Sequence, residues 1–480
     1  MSLMAIKPLD VILAQAKGGE HSLKRTLGPM SLIALGIGAI IGAGLFSLTG
    51  IAAADNAGPA IALSFLVAAF GCVFAGLCYS EFSTMIPIAG SAYTYAYATL
   101  GELIAWIIGW DLVLEYAVGA ATVSISWSAY VVSLLHDFGI NLPTELIASP
   151  WQPVALPDGT MVHGLINLPA VFIICIVSVL LMRGIEESAK VNSVVVIIKV
   201  SVVLVFIGVG VWYVKGSNYV PFIPPNTGTF GEYGLSGIVR AAGVIFFAYI
   251  GFDAVSTAAQ EARNPQKDMP IGIIGSLAIC TVLYVAFALV MTGLAHYTEF
   301  KDQAAPVAVA IAHTPFTWLK PLIKFAIIAG YSSVILVMLL GQSRVFFSMA
   351  NDGLLPKLFS AIHPRYRTPW RSNMLFMVFV SLFSAFAPIA MVGHMTSIGT
   401  LFAFVIVCAG IIVMRRTQPD LERPFRTPWV PLVPILGILV NFMLMYGLGW
   451  ENWMRLFVWL AIGLGFYFFY GRNHSHLRKG

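Results

Sequence analysis

Gly36-Ile37-Gly38-Ala39-Ile40-Ile41-Gly42-Ala43-Gly44-Leu45-Phe46 lies inside the first long apolar segment of the chain, roughly residues 29–54. A plain membrane helix would carry Leu and Ala here. Each of the four glycines weakens a helix by about 1 kcal/mol relative to Ala and strips side-chain cover from the backbone. Non-helical backbone at bilayer depth persists only where protein buries it or where it lines a cavity. The stretch therefore predicts a span broken near its middle, with freed N–H groups offered to a bound anion. The competing reading is a small-residue face packed against a neighbouring helix.

The rest of the composition makes that stretch part of a membrane protein. Of 480 residues, 59% are hydrophobic and 10% charged, with a mean hydropathy of +0.86; soluble proteins carry about 25% charged residues. Crossing the hydrocarbon takes about 17–25 residues of helix. Twelve runs qualify, near 30–54, 60–82, 102–135, 167–183, 191–214, 235–261, 270–295, 318–349, 372–389, 393–414, 430–449 and 453–470. The expected fold class is an all-α polytopic membrane protein with 12 transmembrane helices. The third and eighth runs exceed a perpendicular crossing and predict tilt or extension beyond the bilayer. The first 28 residues are polar and basic and the first apolar run is long enough to stay, so no cleavable leader is expected. Cys72, Cys78, Cys175, Cys280 and Cys408 all lie in apolar segments and read as small core residues.

Orientation follows from Lys and Arg. If residues 1–28 are cytoplasmic, twenty of the 27 basic residues fall in cytoplasmic segments, including Lys7, Lys17, Lys24, Arg25 and the cluster Arg415, Arg416, Arg423 and Arg426. Six fall on the opposite side (Lys215, Arg240, Lys301, Lys320, Lys324, Arg455), and Lys199 lies within a span. The positive-inside rule then places both termini inside. Residues 136–167, free of Lys and Arg and rich in Pro and Gly, fit an outer loop, and 304–313 reads as a short interfacial helix there. Residues 351–371 form a basic, Pro-punctuated cytoplasmic connection. No basic cluster interleaved with aromatics supports a nucleic-acid partner.

Span 6 carries a second irregularity. Gly243-Val-Ile-Phe-Phe-Ala-Tyr-Ile-Gly251-Phe-Asp253 starts apolar and turns polar through Ser256, Thr257, Gln260 and Glu261. Spans 1 and 6 head two five-span blocks, and glycine-interrupted spans at matching positions of two halves point to a transporter site between inverted repeats. An odd number of spans per block turns the second copy upside down.

An ionisable side chain at bilayer depth is a functional candidate by default. Lys199 sits about nine residues into span 5 among Val195, Val196, Ile197, Ile198 and Val200, either as a titrating residue or as a permanently paired structural one. Asp111 and Glu115 are four apart, on one face of span 3. Asp111 is near enough to the start to be interfacial, while Glu115 suits a cationic substrate, a proton relay or a salt bridge to another span. Asp253 is open in the same way. Ser332 and Ser333 could offer hydroxyls or simply pack, and Phe246, Phe247 and Tyr249 could gate a cavity or simply pack. No Ser/His/Asp set, metal-spaced His/Cys group or phosphate loop supports an enzyme, and the nine histidines are scattered.

On these residues the chain resembles the amino acid–polyamine–organocation superfamily and, within it, the cationic amino acid transporter family, in the manner of a bacterial proton-coupled member. The resemblance runs over spans 1–10 and rests on GIGAIIGAGLF (36–46), GWDLVLEYAVGAATVSISWS (109–128), RGIEESAKVNSVVVIIK (183–199), GFDAVSTAAQEARNPQKDMP (251–270) and SRVFFSMANDGLLPKLF (343–359). It implies the LeuT-like fold: inverted repeats over 29–215 and 216–416 with spans 1 and 6 broken, then peripheral spans 11 and 12 and a cytoplasmic C-terminus over 417–480. It implies an L-amino acid substrate, neutral or cationic, carried across the plasma membrane without a cofactor, the coupling ion being a proton. Ile40, Ile41, Gly42, Ala43, Gly44, Glu115, Phe246, Phe247, Ala248, Ile250 and Ser333 are then the substrate-binding residues. The Ala43 and Gly44 amides would take the carboxylate, the Ile40, Phe247 and Ile250 carbonyls the amino group, and Phe247 would gate. Lys199 matches a span-5 lysine that stands in place of a sodium ion in proton-coupled relatives. Exchange without net proton coupling, and sensing without transport, are the alternatives. Membrane lipids are the other expected partners, and both a monomer and a complex with a small membrane protein are compatible with the chain.

Overall fold

The computed structural model describes residues 5–12, 27–87, 91–151, 153–155, 161–184, 189–259, 262–303 and 305–479. Gln260, Glu261, Lys17, Lys24, Arg25, the centre of the 183–199 motif at 185–188, and Ala304 lie outside them. Among the described residues, eight helices are long and apolar enough to cross a membrane, and four shorter apolar helices accompany them. In chain order the main helices are α1 (Pro29–Ile40), α2 (Ile61–Met85), α3 (Glu102–Asp137), α4 (Leu168–Met182), α5 (Ala189–Gly210), α6 (Gly234–Ile245), α7 (Pro265–Leu294), α8 (Leu319–Asn351), α9 (Trp370–Phe386), α10 (Ile389–Thr417), α11 (Leu432–Gly447) and α12 (Trp450–Phe466). Each falls on one of the twelve apolar runs. The two very long runs do form 36- and 33-residue helices. α7 begins at Pro265, five residues before the apolar run at 270, because proline at the first helical turn needs no N–H partner. Among the described residues the helical architecture is interrupted in the expected outer loop by an antiparallel pair of strands, β1 (Pro153–Ala155) and β2 (Met161–His163).

Helix pairing follows a regular rule. α2 packs on α7, α3 on α8 and α4 on α9, so these three helices each meet the one five further on. The cross pairs match as well: α1 meets α5 as α6 meets α10, and α3 meets α10 as α8 meets α5. Exchanging the first five helices for the second five maps this pattern onto itself. Leu27, before α1, is bridged in parallel to Ala262, which follows α6.

The core is aromatic and small-residue rich, while Val282, Phe325, Trp212 and Phe469 point outward, as they would towards lipid. At the Lys/Arg-rich end, charged groups are tied together rather than left free. Buried Glu102 accepts hydrogen bonds from Tyr97 (3.1 Å), Tyr467 (2.8 Å), Arg478 Nε (2.8 Å) and Ser475. Lys7 pairs with Asp352 at 2.6 Å, and Asp352 also accepts from Tyr93 at 2.8 Å. Arg415 grips both oxygens of Glu81, at 2.8 and 2.9 Å. The first described residues and the C-terminal turn are thus fastened to the ends of α3 and α8.

Candidate functional site

Two backbone interruptions meet at the centre of the molecule. α1 ends at Ile41, whose extended ψ of 106° leaves the helix after its N–H donates to Ile37. Helix resumes as a π-type turn at Gly44–Leu48, where Leu45 and Phe46 N–H reach the Gly42 carbonyl at 3.2 and 3.3 Å. Between these bonds the amides of Gly42, Ala43 and Gly44 have no acceptor among the described residues. Consecutive unpaired N–H groups at the start of a resuming helix are an anion-binding arrangement. After α6, a 3₁₀ turn at Phe246–Tyr249 runs into extended Ile250 and then Gly251 at φ +117, before a short helix at Ala254–Thr257. Gly251 is needed twice over: its φ lies in the left-handed region, and a Cβ would sit 2.8 Å from Ala39 carbonyl carbon. Both breaks foreseen in the chain are present, and the packing-face reading of span 1 describes its flanks alone, where Gly36 receives Ser276.

The two breaks touch. A Cβ on Gly44 would fall 2.2 Å from Ala248 Cα. Tyr284 of α7 lies over both, its hydroxyl 3.0 Å from the Ile40 carbonyl and 2.9 Å from the Ala248 carbonyl. Of the carbonyls expected to hold an amino group, Ile40 therefore faces Tyr284 and Phe247 accepts the Ile250 N–H at 3.3 Å, while Ile250 accepts none among the described residues. Tyr284 escaped the sequence reading because one aromatic in an apolar span carries no local signal of its partners.

Lys199 of α5 donates to the Gly38 carbonyl at 2.6 Å, joining α5 to the last turn before the first break. Its stem lies against Gly330 of α8, where a Cβ would approach within 3.2 Å. Ser333 donates to the Gly330 carbonyl and Ser332 to Ile328, with Trp127 donating to Ser332 in turn. On one side of the breaks, Tyr130 donates to the Phe46 carbonyl at 2.6 Å and Ser47 meets Tyr331 at 2.9 Å. Phe246 packs edge-on against Phe404, and Tyr249 donates to the Phe65 carbonyl, so these two aromatics are packed into the helix bundle. Phe247 is buried beside the break.

On the other side lies a buried polar group that the structure assembles from four segments: α2, the short helix at Ser91–Thr99, α3 and the stretch after the second break. Asp111 and Glu115 project from α3, Glu115 within a π-type turn at Leu114–Val118. Asp253 follows the second break and accepts from Tyr116 at 2.8 Å. Asp111 is fully buried, so the interfacial alternative for it does not hold. Both oxygens of Asp111 and Glu115, one of Asp253, and the hydroxyls of Tyr79, Tyr95 and Ser256 have no hydrogen-bond partner among the described residues. Among the described residues no ion pair reaches the three carboxyls, which sets aside the salt-bridge reading of Glu115. A buried polar atom left unpaired costs about 1–3 kcal/mol, so such a group belongs with water, a proton or a polar ligand. Every one of the twelve residues singled out in the chain for substrate or proton is buried.

Comparison with known proteins agrees with this geometry. The amino acid permease family matches residues 27–469. The branched-chain amino acid permease BcaP of Bacillus subtilis (strain 168) is 46% identical over 467 residues, covering 97% of each chain. The methylthioribose transporter of the same organism is 41% identical over 478 residues, covering 100% of both. The vacuolar cationic amino acid transporter 4 of Arabidopsis thaliana is 30% identical, over 100% of this chain and 97% of its own.

Proposed function

The chain belongs to the amino acid permease family, and from that premise we propose that it is a proton-coupled symporter of neutral, branched-chain L-amino acids in the plasma membrane, working by alternating access. The pairing of α2, α3 and α4 with α7, α8 and α9, and the matching cross pairs, support two inverted repeats over 29–215 and 216–416, with 417–480 peripheral and both termini cytoplasmic. The observation that carries the reading is the run of unpaired amides at Gly42, Ala43 and Gly44 beside the carbonyls of Ile40 and Ile250. A zwitterion offers a carboxylate to the first set and an ammonium to the second, and its ammonium would displace the Tyr284 hydroxyl from Ile40. The side chain would then lie among Phe247, Ala248 and Val334, which suits an apolar substrate. Protonated Lys199 ties α5 to the first break through Gly38. Its deprotonation removes that tie and lets α1 move, which makes it a two-state element biased by a proton.

Full-length identity to a methylthioribose transporter favours a second reading, in which the substrate is a thio-sugar with neither carboxylate nor ammonium. Labelled leucine uptake into proteoliposomes, in competition with isoleucine, lysine and methylthioribose, separates the two. Saturable leucine uptake blocked by isoleucine and insensitive to methylthioribose is expected. Uptake of methylthioribose without leucine transport would replace the amino acid reading, and specific leucine binding without flux would make the protein a sensor.

A further inference from the structure

A cavity of about 460 Å³ with mixed polar and apolar walls lies away from the broken helices, where the start of α12 meets α6 and α10. Arg240, His394, Asn452 and Arg455 line it, with Trp450 and Glu451 at its mouth. We propose that this cavity binds a phosphate-type anion, carried by a lipid headgroup or free in solution.

The charges face the cavity without being neutralised in it. Arg240 has no carboxylate partner within ion-pair distance among the described residues. Its guanidinium makes one long hydrogen bond, from Nη1 to the Phe230 carbonyl at 3.4 Å. Asp55 shares its electrostatic surroundings but does not pair with it. Arg455 meets Glu451 at 3.7 Å, and that carboxylate side chain is 86% exposed, so solvent screens the contact. Planar guanidinium forks match the oxygens of a phosphate, and an imidazole N–H adds a third donor.

The donors are also held in place. Arg455 Nη1 donates to Asn452 Oδ1 at 2.6 Å, while the Asn452 amide nitrogen donates to the Leu448 carbonyl at 2.8 Å and lies 3.5 Å from His394 Nδ1. The Arg240 stem fills the space a side chain on Gly231 would need, its Cδ 2.2 Å from that Cβ position. Gly449, at φ +86, turns the chain so that the first turn of α12 closes the cavity wall. The volume exceeds a bare phosphate and leaves room for the group esterified to it. Around the mouth, Trp450 is 69% exposed and Tyr446 67%, with Tyr446 packed on Phe230 at 5.7 Å. Aromatic residues of this kind sit at headgroup level in membrane proteins. An anion held there would cross-link α6, which leads into the second break, to α10 and α12.

The test uses the full-length protein in neutral detergent and follows its melting temperature against dioctanoyl phosphatidylglycerol and, separately, inorganic phosphate at constant ionic strength. Saturable stabilisation is expected in the wild type. Arg240→Gln/Arg455→Gln should weaken it roughly tenfold or more, as loss of charge-assisted bonds requires. Arg365→Gln, at the opposite Lys/Arg-rich end, should leave it unchanged. Stabilisation by the lipid alone assigns a headgroup site, and an equal response to phosphate assigns a soluble anion. Should the double variant misfold, Arg455→Gln alone carries the comparison. Absence of saturable stabilisation by either probe, or unchanged affinity in a folded variant, would overturn the proposal; neither result bears on leucine transport.

Discussion

A Cβ on Gly44 would sit 2.2 Å from the Ala248 Cα, whereas one on Gly42 would meet nothing nearer than Val334 at 3.4 Å. The first contact is with backbone at the second break and has nowhere to go; the second is ordinary packing. Gly44→Ala should therefore separate the two breaks and remove stabilisation by leucine in a thermal-shift assay. Gly42→Ala should keep that stabilisation and change folding stability by no more than about 1 kcal/mol. Equal leucine responses in the two variants would refute contact between the breaks. Both glycines stand out in the chain, but their difference arises from a helix two hundred residues away. Lys199 was legible for a simpler reason: a lone cation in a run of valine and isoleucine has few places to put its charge. The chain allows two acceptors for it, carbonyls at the span 1 break or hydroxyls at Ser332 and Ser333, and in the structure it donates to the Gly38 carbonyl of span 1.

At the scale of helices, the apolar runs give the elements and the glycines give the breaks, since both are local properties of hydrophobicity and backbone freedom. What joins the breaks is not local. Tyr284, in the middle of α7, holds the Ile40 and Ala248 carbonyls together. Tyr284→Phe should cost about 0.5–1.5 kcal/mol of stability, the net worth of such a bond, read as a lower melting temperature without substrate. Because an ammonium competes for the same carbonyl, leucine should stabilise the variant by more than it stabilises the wild type. An unchanged melting temperature would show that the hydroxyl adds nothing. The carboxyls of the buried polar group were visible as charges inside spans, but Tyr79, Tyr95 and Ser256 join them through packing of α2, of the short helix at Ser91–Thr99 and of the segment after the second break. Glu115→Gln supplies an amide donor to a group short of donors. It should leave leucine affinity within about twofold while weakening any lysine uptake, because a cation alone loses a charge-assisted bond there. Parallel loss of both substrates in competition uptake would instead make Glu115 structural.

Across the whole molecule, the Lys/Arg-rich end is closed by chain termini fastened to the ends of long helices. Glu102, fully buried, receives Tyr97, Tyr467, Ser475 and Arg478. Glu102→Ala leaves Arg478 without its counter-charge and should cost about 3 kcal/mol, with faster hydrogen exchange over residues 472–479. Unchanged exchange there would mean the tail is held by other contacts. Nothing in the sequence announces this closure, since the contacts from Tyr467, Ser475 and Arg478 to Glu102 join residues hundreds of positions apart. The central claim is that a proton on Lys199 drives net uptake. The measurement is labelled leucine accumulation in proteoliposomes under an imposed pH gradient, with and without a sodium gradient, for wild type and Lys199→Ala. Accumulation driven by the pH gradient alone in wild type, and lost in Lys199→Ala while leucine counterflow persists, is the expected result. Accumulation driven by sodium alone, or pH-driven accumulation surviving in Lys199→Ala, would contradict it.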